Sequence, residues 1–299
     1  MKILDFYSHQ GHQYEFFKGD HTYTLLGSDN KCPNWNTLHR PKNKNVLFRS
    51  LEETSDMVFD IVMYRSSSDI SVVNMHRKRG AKIIFVSQTT FCPEVRMDVD
   101  AIVWNSSKAM RDFSNKFNCR SEYIVHGYDP SEFKPINCKK NHRVLSLANA
   151  FKSRGNLLGY DVWSKVKSKT GICDVYGHNN EDIRSKRVET FDDQIKIYSK
   201  YSMYLNTTTH SAMPRSRAEA MMCGMPIITT KNYGIEKHVY DSECFYIKDE
   251  YQAISAINKL LSSESLQEES SKKSRNAAIR EFSLSGYLSK WNNLFEDIL

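Results

Sequence analysis

The stretch Tyr204–Pro226, which reads YLNTTTHSAMPRSRAEAMMCGMP, decides the fold class of this chain. It begins as an apolar strand, continues as a polar loop and reaches Pro214, where a helix is expected to begin. Proline is favoured at the first helical position because the N–H that it lacks would have no partner there. Gly224 and Pro226 then end the helix. A strand, a loop and a helix in this order are typical of a parallel α/β unit.

The start of this helix has the chemistry of an anion site. Its first N–H groups and the positive end of its dipole favour a negatively charged ligand. Arg215 and Glu219 are four residues apart and therefore share one face of the helix. A carboxylate one turn into the helix can accept hydrogen bonds from ribose hydroxyls. The stretch thus predicts a ligand that carries phosphate and ribose groups.

On both sides of this stretch, short β-branched runs alternate with helical segments, which predicts parallel sheets. The strands predicted in the first half are Lys2–Tyr7, Thr22–Leu26, Asp60–Tyr64, Lys82–Val86, Ala101–Trp104 and Tyr123–Val125, with a helix at Ser107–Phe117 and a long loop at Gly27–Asn45. The second half predicts strands at Arg143–Leu147, Cys173–Tyr176, Met203–Leu205, Pro226–Thr229 and Cys244–Ile247, and helices at Asn156–Lys167, Gln194–Lys200 and Pro214–Cys223. Apolar stripes over 253–261 and 287–298 predict two helices in the tail.

The pattern is interrupted around Pro130 and Pro135, which indicates a domain boundary. We expect domains at 1–130 and 143–284, a linker at 131–142 and a C-terminal helix at 285–299 that crosses back to the first domain. Two such α/β domains form a cleft, and their ligands bind at the carboxyl ends of the strands.

Composition excludes several classes of protein. The chain has 299 residues, of which 40% are hydrophobic and 26% are charged, so it is not globally disordered. No apolar run approaches the ~18 residues that cross a bilayer, and the first ten residues lack a secretory apolar core. The seven cysteines are dispersed and form no C-x-x-C pair, so we expect neither a disulfide framework nor a zinc site. The expected location is a reducing cytoplasm, that of the host if the chain is viral.

The positive charge is concentrated in one region. The formal net charge is +7, and residues 131–190 alone carry net +6. Such a patch suits a phosphate-bearing ligand, a polyanion or simple solubility.

Several motifs in the chain resemble those of the GT-B glycosyltransferases of family 4, which use nucleotide-diphospho-sugars. The family pattern is roughly E-G-F-P-x-x-x-x-E-A-M-A-C-G-x-P-V-V-x-T, followed by G-x-x-E and D-G, with N-G-V-D at the crossing between domains and closing helices at the end. The matching segments are Ser211–Thr230, Gly234–Glu236, Asp241, His126–Asp129 with Phe133 and Pro135, and Arg280–Leu284 with Trp291. The resemblance covers residues 101–299 and implies a GT-B fold, in which two Rossmann-like domains face each other across a cleft.

The resemblance also implies a set of donor-binding residues. They are Gly11, Asn149, Lys152, Arg154, Gly177, Val188, His210, Met213, Pro214, Arg215, Ser216 and Glu219. Glu219 is expected to hold the donor ribose, and the amides around 213–216 are expected to meet the diphosphate or the sugar. Arg154 stands at a family lysine position, whereas Asn149 replaces a family arginine and Lys152 is a candidate for the missing charge. The nucleobase is expected near Gly177 and Val188.

The catalytic candidates are His9, His12 and Ser211. Ser211 replaces the first Glu of the family's paired acidic motif, which contacts the donor sugar, and His210 beside it is expected to supply a hydrogen bond instead. His9 and His12 stand in an expected loop after the first strand, where Gly11 lets the backbone approach the diphospho-sugar. Each is a candidate for acceptor contact or acid–base work, and the alternative is a solvated loop histidine. Gln88 stands where many family members carry a histidine, and it cannot titrate.

The expected function is sugar transfer from a nucleotide-diphospho-sugar, a UDP-sugar first, to an acceptor hydroxyl with retention of configuration. No acidic D-x-D clamp follows a predicted strand, so we expect no metal, and no cofactor beyond the nucleotide-sugar co-substrate. The acceptor is either a hydroxymethylated base in DNA or a glycan or lipid-linked sugar. A non-catalytic binding module on the same fold is the alternative from another class, because Ser211 and Asn149 depart from the family pattern. An oxidoreductase is disfavoured, since no G-x-G-x-x-G follows Lys2–Tyr7 or Arg143–Leu147.

Overall fold

The computed structural model describes residues 1–27, 31–183, 185–233 and 243–299. The chain divides into two compact units: an N-terminal unit of residues 1–127 with 284–299, and a C-terminal unit of residues 128–283. In the described ranges, no helix has the length and apolar character needed to span a membrane.

The strands form two parallel sheets. In chain order they are β1 (Lys2–Phe6), β2 (Thr22–Leu26), β3 (Val46–Arg49), β4 (Ile61–Tyr64), β5 (Lys82–Ser87), β6 (Ala101–Trp104), β7 (Arg120–Tyr123), β8 (Asn141–Leu147), β9 (Cys173–Tyr176), β10 (Tyr201–Asn206), β11 (Ile227–Thr230) and β12 (Phe245–Ile247). The first sheet has the order β3-β2-β1-β4-β5-β6-β7, and the second has the order β12-β11-β10-β8-β9. Orders that run outward in both directions from β1 and from β8 are those of doubly wound, Rossmann-like sheets.

The helices connect these strands. In chain order they are α1 (Gln10–Phe16), α2 (Leu51–Thr54), α3 (Ile70–Arg77), α4 (Ser107–Phe113), α5 (Tyr160–Thr170), α6 (Phe191–Lys200), α7 (Arg215–Met222), α8 (Glu250–Leu261), α9 (Glu264–Phe282) and α10 (Leu284–Ile298). The central strands β4 and β10 are buried along their whole length, as expected of parallel strands covered on both faces. The prediction of two parallel-sheet Rossmann-like domains with helices at the C-terminus is confirmed.

The apolar stripes of the tail are buried as predicted. Ala253, Ile257 and Leu260 of α8 join the core of the C-terminal unit. In the N-terminal unit, the ring centroid of Trp291 on α10 lies 5.0 Å from that of Phe16 on α1. Residues 284–299 therefore contribute to the core of the N-terminal unit.

The segment after β1 contradicts the predicted loop at Ser8–Gln13. Helix α1 begins at Gln10, with His9 as its N-cap residue. The side chain of Gln13 donates hydrogen bonds to Oδ2 of Asp5 (2.7 Å) and to the Phe6 carbonyl (2.8 Å), which anchors the helix to β1. The helix is short and is anchored by polar contacts, so hydrophobic periodicity in the sequence does not predict it.

Other boundaries also differ from the predictions. Helix α5 begins at Tyr160 rather than Asn156, because Gly159 is left-handed (φ 67°) and a 3₁₀ turn precedes it. Helix α7 begins one residue after Pro214, which is its N-cap residue. Strand β7 lies at Arg120–Tyr123, earlier than the predicted Tyr123–Val125. Helix α4 ends at Phe113 and continues only as a 3₁₀ turn. Strand β3 lies at the sheet edge and α2 has only four residues, and neither was predicted. Helices α3 and α9 were not predicted either.

Candidate active site

The carboxylate of Glu219 is the centre of a buried polar cluster in the C-terminal unit. Its Oε2 accepts hydrogen bonds from Nε2 of Gln194 (2.6 Å) and from the hydroxyl of Tyr198 (2.8 Å). Its Oε1 accepts from Nη2 of Arg215 at 2.9 Å. Glu219 is 3% exposed, so this anion is held in a place where water cannot replace its partners. We call these four side chains the Glu219 cluster.

The sequence determines part of this cluster directly. Arg215 and Glu219 form the predicted pair one turn apart on α7, with side chains 13% and 4% exposed. The guanidinium of Arg215 also lies over the ring of Tyr128, 5.6 Å from its centroid. Gln194 and Tyr198 share one face of α6 and bind Oε2 of Glu219, whereas Arg215 binds Oε1. Neither residue was predicted, although their spacing of four is a signal that could have identified them.

The phenol of Tyr198 is neutral in this setting. It is fully buried, and burial followed by the negative charge of Glu219 raises its pKa well above the ordinary value of a tyrosine. A neutral hydroxyl can donate a hydrogen bond, and a carboxylate oxygen accepts one. The Tyr198 hydroxyl is therefore a hydrogen-bond donor to the Glu219 carboxylate.

A second tyrosine connects the start of α7 to the end of β8. The Tyr204 hydroxyl donates to Oγ of Ser216 at 2.7 Å and accepts from the amide of Leu147 at 3.2 Å. Burial raises the pKa of Tyr204 to about 12. Because β8 and β10 are neighbours in the sheet, this tie fixes the first turn of α7 at the carboxyl edge of the strands. The amide of Arg217 in that turn donates to the Pro214 carbonyl at 3.1 Å, and the positive end of the helix dipole makes the start of α7 suit an anion.

The loops after β8 and β9 interlock at the same edge. Oδ1 of Asn149 accepts from the amide of His178 at 2.9 Å, and the side chain of Asn180 donates to the Ala148 carbonyl at 2.6 Å. Gly177 has φ 151°, and a Cβ there would collide with the carbonyl oxygen of Ala148. Asn149 thus connects the two loops. The close approach of the Ala148 carbonyl oxygen explains why position 177 is glycine.

The basic candidates near these loops differ in their surroundings. Nζ of Lys152 pairs with Asp182 at 3.2 Å, with both side chains more than half exposed. Arg154 is exposed and precedes the 3₁₀ turn Gly155–Leu157. Val188 is half-buried in an irregular segment before α6.

The loop after β10 carries the remaining candidates of this unit. The His210 ring is exposed and stacks on Tyr233 with centroids 5.2 Å apart. The amide of Ser211 donates to Oδ1 of Asn232 at 3.1 Å, while Met213 and Pro214 are buried just before α7. The motif segments at 234–236 and 241 lie outside the described residues.

The candidates of the N-terminal unit lie in α1 and stack in a column. The ring centroids of His9 and His12 are 4.2 Å apart, and those of His12 and His126 are 3.6 Å apart. Nε2 of Gln88 lies 3.1 Å from Nδ1 of His12. Gly11 is buried within α1. His126 was predicted only as part of a motif, because nothing in the sequence brings it next to a histidine 114 positions earlier.

The arrangement suits ligand binding through side chains and amides. Among the residues that the structure describes, no three His, Cys, Asp or Glu side chains are grouped to hold a metal ion. The Glu219 cluster offers a fixed carboxylate, and the first turn of α7 beside it offers N–H groups. A ligand with hydroxyl donors and an anionic group matches both.

Comparison with known proteins gives the family of this region. Residues 185–278, which include the whole Glu219 cluster, match the family model of the glycosyl transferases group 1. No curated protein matches the chain.

Solved structures share the fold at low sequence identity. TarM is 15% identical with a TM-score of 0.63, and the match covers 82% of this chain but only 57% of TarM. HepE of Anabaena, in complex with UDP, is 12% identical with a TM-score of 0.73 and coverage of 99% and 100%. Sucrose-phosphate synthase from Thermosynechococcus elongatus is 11% identical with a TM-score of 0.74 and coverage of 100% and 99%. Residues 185–278 therefore match a glycosyl transferases group 1 domain, and they lie within a chain that has a GT-B type of fold.

Proposed function

We propose that the protein is a glycosyltransferase, which moves a sugar from a UDP-sugar to an acceptor hydroxyl with retention of configuration and without a metal ion. The observation that carries the proposal is the Glu219 cluster beside the first turn of α7, at the carboxyl edge of the second sheet. A structural neighbour crystallised with UDP supports the choice of nucleotide.

In this proposal Glu219 accepts hydrogen bonds from the ribose hydroxyls of the donor. Gln194, Tyr198 and Arg215 hold the carboxylate in one orientation, so little entropy is lost when ribose binds. The nucleobase lies between the loops that contain Gly177 and Val188.

The diphosphate takes its positive partners from two sources. The first is the start of α7, where the backbone amides of Met213 and Ser216 and the positive end of the helix dipole favour an anion; Pro214 between them has no N–H. The second is Arg154, which is exposed and available, with Lys152 free to exchange Asp182 for phosphate. Such fixed charges stabilise a leaving diphosphate as it develops negative charge.

The sugar of the donor is assigned to His210 and Ser211 of the C-terminal unit. His210 replaces the acidic side chain that Ser211 lacks by offering a hydrogen bond to a sugar hydroxyl. His9 and His12 are assigned to acceptor contact or to proton transfer.

For the acceptor we propose a hydroxyl of a glycan or lipid-linked sugar rather than DNA. Lys139 and Lys140 precede β8 and so lie at the amino edge of the sheet, away from the proposed site. Ion pairs engage three more of the basic residues of the net +6 region, namely Arg143, Lys169 and Arg187. The charge is therefore not arranged as a continuous track for a phosphate backbone.

The test is slow hydrolysis of the donor in the absence of acceptor, measured over UDP-, GDP- and ADP-sugars by release of the nucleoside diphosphate. We expect release from a UDP-sugar and little from the others. Release from none of them would contradict the proposal. With the donor known, transfer to hydroxymethylated DNA that is lost steeply with salt, and none to glycan acceptors, would overturn the choice of acceptor.

A further inference from the structure

The three stacked histidines of the N-terminal unit come from separate places in the chain. His9 caps α1, His12 lies in its first turn, and His126 follows β7. His12 is the middle ring of the column, with interplanar angles of 24° to His9 and 28° to His126. We call these three residues the histidine column. Because β1 and β7 are parallel, it stands at the carboxyl edge of the first sheet.

The column disfavours a positive charge on its middle ring. Two imidazolium rings with centroids 3.6 Å apart repel each other strongly, and burial of His126, which is 7% exposed, weakens the screening by water. Protonation of His9 or His126 therefore makes protonation of His12 to the charged form less favourable. Beyond the column, the ring centroid of Tyr287 on α10 lies 6.4 Å from that of His126. Asp5, Arg65 and Glu15 act electrostatically on that tyrosine, and Asp5 and Arg65 are paired with each other.

Gln88 supplies an independent constraint on the same ring. Its Nε2 lies 3.1 Å from Nδ1 of His12. With the Gln88 amide in this orientation, Nε2 donates and Nδ1 of His12 accepts. An imidazole whose Nδ1 accepts carries its proton on Nε2 and is neutral.

We propose that Gln88 and His126 hold His12 as the neutral imidazole protonated on Nε2, so that His12 serves sugar transfer as a hydrogen-bond donor and not as a base. His12 donates from Nε2 to a hydroxyl oxygen of the acceptor. Gln88 and His126 are positioning residues, since both act through His12. The part of the inference that concerns sugar rests on the proposed function, whereas the protonation of His12 does not.

The decisive measurement is the ¹⁵N NMR spectrum of the histidine rings of the full chain at pH 7, which needs no substrate. The His12 signals are assigned by their loss in His12→Gln. We expect the pattern of a neutral ring protonated on Nε2. A proton on Nδ1, or a charged ring at pH 7, would overturn the proposal.

Two variants test the cause of this state. In Gln88→Glu the carboxylate can only accept, so the proton is expected to move to Nδ1 or the ring to become charged. In Gln88→Met, a matched control that removes the amide and adds no charge, the preference for Nε2 weakens without a charged ring at pH 7. If neither variant changes the His12 signals, Gln88 has no part in the effect.

Activity measurements test separately whether His12 acts as a hydrogen-bond donor. A glutamine amide can replace Nε2–H as a donor but cannot accept a proton, so His12→Gln is expected to keep activity within about tenfold of wild type. His12→Phe keeps a stacked ring without a donor and is expected to lose far more. Equal and severe losses in both variants, with a pH profile in wild type that disappears in His12→Gln, would assign His12 as a base. If wild type turns over no nucleotide-sugar, the proposed function fails. The NMR result still decides the protonation of the His12 ring.

Discussion

The hydroxyl of Tyr198 donates a 2.8 Å hydrogen bond to Oε2 of Glu219, and both side chains are almost completely enclosed by the C-terminal unit. Their neighbour Gln194 binds the same oxygen, so two residues of α6 hold one oxygen of a carboxylate on α7. The other oxygen faces Arg215. Residues of two helices thus fix the orientation of the side chain to which we assign the ribose.

Tyr198→Phe is expected to weaken both the fold and the binding of UDP. The loss of a buried hydrogen bond to a charged acceptor costs about 1.5–3 kcal/mol of unfolding free energy. We also expect a roughly tenfold weaker affinity for UDP, equal to about 1.4 kcal/mol, because the carboxylate loses one of its anchors. Urea unfolding and titration calorimetry measure the two effects.

Tyr201→Phe is the matched control for this prediction. Its hydroxyl also donates to a carboxylate, Oδ2 of Asp174 at 2.9 Å, but it does not touch Glu219. We expect a loss of stability without a loss of UDP affinity. If both variants weaken UDP binding equally, the effect belongs to the fold and not to the Glu219 cluster.

Gly177→Ala is expected to be much more damaging than Gly171→Ala. Gly171 has φ 69° with no atom within 4 Å of an added Cβ, so alanine there costs only the left-handed strain of roughly 1–2 kcal/mol. At position 177 the new Cβ collides with the Ala148 carbonyl, and forced repacking adds about 1–3 kcal/mol. Thermal or urea unfolding of both variants checks the difference, and equal losses would count against the interlocked loops.

The ion pair between Arg143 and Asp174 is expected to make stability depend on pH in the acid range. Arg143 first, and the Tyr201 hydroxyl after it, lower the pKa of Asp174 below its ordinary value. A lowered carboxyl pKa stabilises the fold above about pH 4 and loses this effect as pH falls through the folded-state value. Asp174→Asn should therefore be less stable than wild type at pH 7, with a gap that narrows below pH 4. A gap in urea midpoints that stays constant from pH 7 to pH 3 would contradict this.

Removal of divalent metal is expected to leave donor hydrolysis unchanged. In the proposed mechanism the α7 amides and Arg154 carry the charge of the leaving diphosphate, so chelation by EDTA removes nothing that the reaction uses. Initial rates with and without EDTA test this. Full loss of the rate with EDTA and its recovery with Mg²⁺ or Mn²⁺ would assign the leaving-group charge to a metal.

The sequence alone was sufficient where a function depends on local spacing. Arg215 and Glu219 are one turn apart, so their pairing could be predicted from the register of a helix. The alternation of strands and helices likewise predicted both sheets, because parallel strands bury continuous apolar runs.

The missed features all depend on contacts between distant segments. Tyr198 reaches Glu219 across 21 residues, and Gln88 reaches His12 across 76. The helix around His12 was read as a loop because its anchor, the Gln13 side chain on Asp5, is invisible to periodicity. For Asn149, a predicted donor contact, the structure adds a hydrogen bond between two loops that the sequence does not show. Such roles follow from packing and not from spacing.

The most direct test of the account is the binding of UDP to wild type and to Glu219→Gln by titration calorimetry. Glutamine keeps the volume of the side chain and removes the charge that holds ribose donors. We predict that wild type binds UDP and that Glu219→Gln, folded by near-UV circular dichroism, binds at least about tenfold more weakly, which is a loss of about 1.4 kcal/mol. Equal affinity in the two proteins, or no binding of UDP to wild type, would contradict the assignment of Glu219 as the ribose site.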